Sequence, residues 1–150
     1  MKAFKKLAVA AALATTLPAF ADVVFLTFEG IGDQAPVGNY YNGGGGPNYG
    51  VSFSDATLAI IDADAGGTGN FANEPSPDTI MFFLEANNAI LNVAAGFDTG
   101  FSFYYSSSTA ATVTVWDDVG GTGNLLGSLD LSAQGFDNCG GDPTGDFCNW

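Results

Sequence analysis

The sequence contains no histidine and no arginine, and its three lysines are Lys2, Lys5 and Lys6. From Asp22 onward it holds 16 carboxylates and no basic side chain, so that stretch carries a formal charge of −16 against −13 for the whole chain. Side-chain salt bridges are impossible there. With no Lys or Arg to neutralise phosphates, nucleic acid is excluded as a partner, and an anionic membrane surface is excluded on the same ground. Ser–His–Asp and Cys–His catalysis, lysine Schiff bases and imidazole-bound zinc are also excluded. Only carboxylate chemistry survives, as a glycosidase pair or an aspartic dyad. The three glutamates, Glu29, Glu74 and Glu85, fall in no recognisable motif. Asp98-Thr99-Gly100 matches an aspartic-protease tripeptide, but Phe101 stands where a small hydroxyl residue is expected and no second copy exists. It reads as a bend between strands, and the chain reads as a non-enzyme.

What is present begins with an export signal. The lysines precede an apolar run from Leu7 to Leu17, Pro18 breaks it, and Ala19-Phe20-Ala21 offers small residues at the positions a signal peptidase reads. The run is too short for a permanent anchor, which needs about 20 residues. We expect cleavage after Ala21, giving a signal peptide over 1–21 and one exported domain over 22–150, with no transmembrane anchor. Self-repulsion in such a polyanion opposes compaction and favours solubility. Divalent cations are the obvious counter-charge, calcium being the usual extracellular partner of carboxylate and carbonyl oxygens.

Strand signals recur along the exported part and helix signals do not. Apolar, β-branched or alternating runs lie at Val23–Glu29, Tyr49–Ser54, Thr57–Ile61, Ile80–Leu84, Ile90–Val93, Phe101–Tyr105, Ala111–Trp116 and Leu125–Leu131. Gly, Pro, Asn and Asp clusters separate them. Short strands at this spacing predict an all-β antiparallel sandwich or jelly roll. Ile80–Leu84 reads as fully buried, and Glu85-Ala86-Asn87 as the one place for a turn of helix. Cys139 and Cys148, separated by a turn-rich Gly/Asp/Pro stretch, predict one short-loop disulfide in an oxidising compartment.

One pentapeptide occurs twice. Gly66-Gly67-Thr68-Gly69-Asn70 follows Asp62 and Asp64, and Gly120-Gly121-Thr122-Gly123-Asn124 follows Asp117 and Asp118. Aspartates before glycines can wrap oxygens around calcium. The pattern departs from an EF-hand, since Gly66 and Asn73 occupy expected ligand positions. Hairpin turns built on Asp, Gly and Asn are the alternative, and for Asp117–Asn124 the plain hairpin is favoured. Among the aromatics, Tyr40, Tyr41, Tyr49 and Trp116 are candidates for stacking on sugar rings. Packing in the core or loops is their other reading.

The stretches at 23–30, 36–54, 97–107 and 113–131 (VVFLTFEG, PVGNYYNGGGGPNYGVSFS, FDTGFSFYYSS and VTVWDDVGGTGNLLGSLDL) together resemble bacterial PEP-CTERM-type exported proteins. That resemblance implies a lectin-like β-sandwich and an association with the cell envelope or an exopolysaccharide matrix. It implies no catalytic set. Members often end in a Pro-Glu-Pro motif, a hydrophobic helix and basic residues, none of which occurs before Trp150. The expectation is therefore a C-terminally truncated or freely secreted relative, missing its last strand or strands. It would be a non-catalytic, secreted or surface-bound matrix protein with extracellular polysaccharide as partner. A calcium-dependent carbohydrate-binding module is the alternative, and a carboxylate hydrolase the second alternative.

Calcium held by these aspartates stabilises the native state by RT ln(1 + [L]/Kd). The midpoint of a melting curve then rises at millimolar calcium and falls back with chelator; an unchanged midpoint leaves the aspartates as turn residues.

Overall fold

A computed structural model describes residues 23–84, 89–134, 139–140 and 145–150, and among them every regular element is a β-strand. The strands are β1 Val51–Phe53, β2 Leu58–Ile61, β3 Thr79–Phe82, β4 Leu91–Val93, β5 Ala111–Asp118 and β6 Thr122–Leu131. They pair antiparallel as β1–β4, β2–β3 and β5–β6, giving small two-stranded sheets. The register sets Val51 opposite Val93 and Ile60 opposite Ile80. Each run is rich in β-branched or large apolar residues that suit a pleated, half-buried surface. The position expected for a helical turn, Glu85–Asn87, lies outside the described residues.

The core sits between the N-terminal segment and the first two sheets. Val37, Tyr41, Val51, Phe53 and Ala59 are buried together, with Leu26, Phe28, Ile31, Tyr40, Met81 and Val93 packed around them. Period-2 alternation explains why Val51 and Phe53 of β1 both face inward. Tyr41 is the hub: Phe28 and Tyr40 meet it edge-on, and its hydroxyl accepts the Phe28 backbone N–H at 2.6 Å. A smaller cluster lies at the C-terminal end. Phe71 packs edge-on against Trp150, whose indole N–H donates to the Ala72 carbonyl, and Ala72 N–H donates to the Phe147 carbonyl. The expected disulfide joins Cys139 to Cys148 with Cα atoms 5.7 Å apart. Closing so short a loop stabilises by roughly 2–3 kcal/mol.

Three strand expectations need correction. Val23–Glu29 forms no ladder, because Phe28 takes a left-handed φ of 64° and its N–H goes to Tyr41 rather than to a neighbouring strand. Its alternation survives in that Leu26 and Phe28 pack on the core while Phe25 is exposed. Phe101–Tyr105 is also unladdered. Ile80–Leu84 is not a buried strand: β3 ends at Phe82, its last three residues are half-buried, and Phe83 and Leu84 are exposed. The bend expected at Asp98-Thr99-Gly100 is present, with Gly100 at a φ of 123°.

The repeated pentapeptide does two different jobs. In the second copy, Gly120 and Gly121 take φ values of 74° and 70°, the successive left-handed residues a tight hairpin turn demands, and they join β5 to β6. In the first copy, Gly67 and Gly69 matter because side chains would not fit. A Cβ on Gly67 would lie 2.2 Å from the Ile61 carbonyl oxygen, and one on Gly69 would lie 2.2 Å from the Phe71 ring. Gly127, within β6, has open space around it. Gly67→Ala should therefore cost about 2 kcal/mol or more through overpacking against backbone, whereas Gly127→Ala should stay within about 0.5 kcal/mol. Urea denaturation of the two variants checks this.

Candidate functional site

Antiparallel pairing of β2 with β3 sets Ile61 opposite Thr79, so Asp62 leaves β2 beside Asp78, which enters β3. The Asp62 N–H donates to the Asp78 carbonyl at 2.8 Å. The loop then folds back on itself: Gly67 N–H donates to the Asp62 carbonyl, and Ala63 N–H to that of Gly69. This returns the chain to Phe71 and places Glu74 near the same point. The result is an open cleft of about 510 Å³ whose lining includes Asp62, Asp64, Glu74, Asp78, Asn73 and Cys139. Asp62 is buried at 4 % exposure, whereas Asp64 and Glu74 are half-buried or more open.

The cleft's carboxylates act on Glu74. Burial raises the pKa of Glu74; a hydrogen bond from its own backbone N–H partly offsets this, and the charges of Asp62, Asp64 and Asp78 push it up again. Such a group holds its proton to higher pH than an ordinary glutamate, and the cleft as a whole attracts cations. Among the described residues, no three Asp, Glu or Cys groups converge closely enough to ligate one metal ion. The structure brings Asp62 and Asp64 into this cleft and adds Glu74 and Asp78, which the sequence reading had not singled out.

Asp117 and Asp118 lie elsewhere, at the β5–β6 turn. Asp117 accepts the Asn124 backbone N–H at 2.7 Å through Oδ1 and its side-chain amide at 2.8 Å through Oδ2, while Asp118 accepts the Val119 N–H. These bonds hold the Asp117 pKa below the usual carboxylate range. Asp33, also not anticipated, does the same for the first pentapeptide. It accepts the N–H groups of Ile61 and Thr68 and the Thr68 hydroxyl, and its pKa is lowered, chiefly by the Ile61 bond.

The candidate sugar-stacking rings do not form one platform. Tyr41 is a correction: at 3 % exposure its ring is core and offers no face to a ligand. Tyr40 is half-buried, its hydroxyl donating to the Glu29 carbonyl. Tyr49 is 45 % exposed and stacks on Tyr41 at 6.1 Å between centroids. Trp116 is half-buried on β5, with its indole N–H donating to Thr114 Oγ1. Phe97, Phe101, Phe103 and Tyr104, in or just before the run that joins no ladder, are exposed as well, as are Phe25 and Phe83 elsewhere.

No family model, curated protein sequence or solved structure matches the chain.

The raised Glu74 pKa fixes the sign of a pH effect. Between the unfolded and folded pKa values the native state holds a proton the unfolded state lacks, so this group's contribution to stability falls as pH rises. Glu74→Gln removes the ionised form. Thermal melts should show the variant more stable than the parent at pH 7, the gain disappearing below about pH 4, where both side chains are neutral.

Proposed function

We propose that this is an exported, non-catalytic matrix domain of the PEP-CTERM type, associated with extracellular or envelope polysaccharide, its small sheets belonging to a lectin-like sandwich or jelly roll. The observation that carries the reading is where the carboxylates direct their oxygens. Glu29 accepts the N–H groups of Asp78 and Thr79 and the Thr79 hydroxyl. Asp33 and Asp117 hold loops, Asp130 accepts the Thr112 hydroxyl across the hairpin, and Asp146 accepts the Asn70 amide. These groups serve the protein's own frame. A disulfide is in keeping with an oxidising compartment, and no helix among the described residues is long and apolar enough to cross a membrane.

A second reading, a carboxylate hydrolase, has the Glu74 cleft in its favour. A carboxyl whose pKa is raised by burial and by neighbouring carboxylates is the kind of group that serves as the acid in glycoside hydrolysis. Calcium in that cleft, bridging to sugar hydroxyls, is the remaining alternative, and it rests on Asp62 and Asp64 sharing the cleft.

One incubation separates these. The exported protein is mixed with insoluble and soluble polysaccharides, with and without calcium, and both bound protein and released reducing ends are measured. Matrix association predicts binding without new reducing ends and without a calcium requirement. Release of reducing ends that Glu74→Gln abolishes overturns it in favour of the hydrolase, and binding lost with chelator favours the calcium-dependent module.

A further inference from the structure

Resting on the polysaccharide reading, we propose that the unladdered segment Phe97–Tyr105 is a stacking platform for an uncharged polysaccharide of equatorially linked pyranoses, a β-linked glucan or chitin-type chain.

Four rings touch in sequence along this segment. Phe97 meets Phe101 edge-on at 5.8 Å between centroids, Phe101 lies nearly parallel to Phe103 at 5.9 Å and 14°, and Phe103 meets Tyr105 at 6.2 Å. Phe101, Phe103 and Tyr105 fall at alternate positions of extended chain, so they share a side. The rings hold one another in place while staying open: Phe97, Phe101 and Phe103 are 48 %, 55 % and 43 % exposed. The far end is tied down, since Tyr105 Oη donates to the Ser132 carbonyl and Gln134 N–H donates to that of Ser107. A contiguous exposed patch of this kind marks a binding surface, and rigid aromatic anchors carry much of the affinity where binding occurs.

Charge selects the occupant. The chain is polyanionic, and Asp98 is the one charged residue within 97–105; from Thr99 to Trp116 there is no Asp, Glu, Lys or Arg, only aromatic, aliphatic and hydroxyl side chains beside Gly100. An anionic polymer would approach against the remaining carboxylates. A second copy would bring the same charge of one sign to the contact. A neutral sugar chain meets neither penalty: its axial C–H faces match the rings and its hydroxyls match the serines and threonines beside them.

The test measures depletion of the exported protein from solution by amorphous cellulose and by chitin, with alginate as the anionic comparison. Binding to a neutral polymer should weaken at least tenfold in Phe101→Ala/Phe103→Ala, while Phe101→Tyr/Phe103→Tyr and Phe25→Ala retain it. Melting curves of each variant confirm that the fold persists. If the alanine variant binds within threefold of the parent, the platform is wrong although the polysaccharide reading stands. If the parent binds no polysaccharide at all, both fail together. A parent that sediments as a dimer, made monomeric by the alanine pair, assigns the rings to contact between copies and also overturns the proposal.

Discussion

Every negative charge from Asp22 onward has to be accommodated in a stretch without a single side-chain cation. That constraint organises much of the structure. Carboxylates that would elsewhere meet lysine or arginine instead accept backbone N–H groups, hydroxyls and amides, as Glu29, Asp33 and Asp117 do. Such bonds favour the ionised form and lower a carboxyl's pKa, and Asp33 and Asp117 both shift in that direction. They also fix loops: Asp33 ties 32–34 to the end of β2, and Glu29 ties the N-terminal segment to the start of β3. The acidic cleft is where this strategy is stretched, because Asp62, Asp64 and Asp78 crowd around Glu74.

Much of the fold was legible in the sequence because alternation reports which residues share a face. It correctly marked the strands around Val51, Ala59, Leu91 and Val113, and the turn residues marked the β5–β6 hairpin and the disulfide loop. Alternation says nothing about partners, however. Val23–Glu29 and Phe101–Tyr105 have the pattern of strands, yet neither joins a ladder, so the pattern survives as packing in one case and as exposed rings in the other. The cleft was half visible. Asp62 and Asp64 stood out through their glycines, whereas Asp78 reaches them only through the β2–β3 register and Glu74 only through the loop's return at Phe71. Both depend on pairing, which a single sequence does not declare.

The twin pentapeptides show how identical residues acquire different reasons. At 120–124 glycine is needed for a backbone conformation, and asparagine answers Asp117. At 66–70 glycine at positions 67 and 69 is needed for absence of bulk, threonine answers Asp33, and asparagine answers Asp146. A shared motif is thus a shared set of capabilities, and the surrounding chain decides which is used. The same distinction separates the aspartates that precede each copy: one pair borders a cleft and the other closes a turn.

The Cys139–Cys148 bridge sets a different kind of condition. Residues 145–150 contact the loop at 70–72 through a few hydrogen bonds and the meeting of Trp150 with Phe71, while Cys139 helps line the acidic cleft. The covalent link holds Cys139 and the docked C-terminal residues at high effective concentration. Reduction leaves those weak contacts to reassemble against the entropy of an open chain. The shape of the cleft wall is consequently coupled to the thiol–disulfide poise of the surrounding solution, a variable that acts on the site without touching any of its carboxylates.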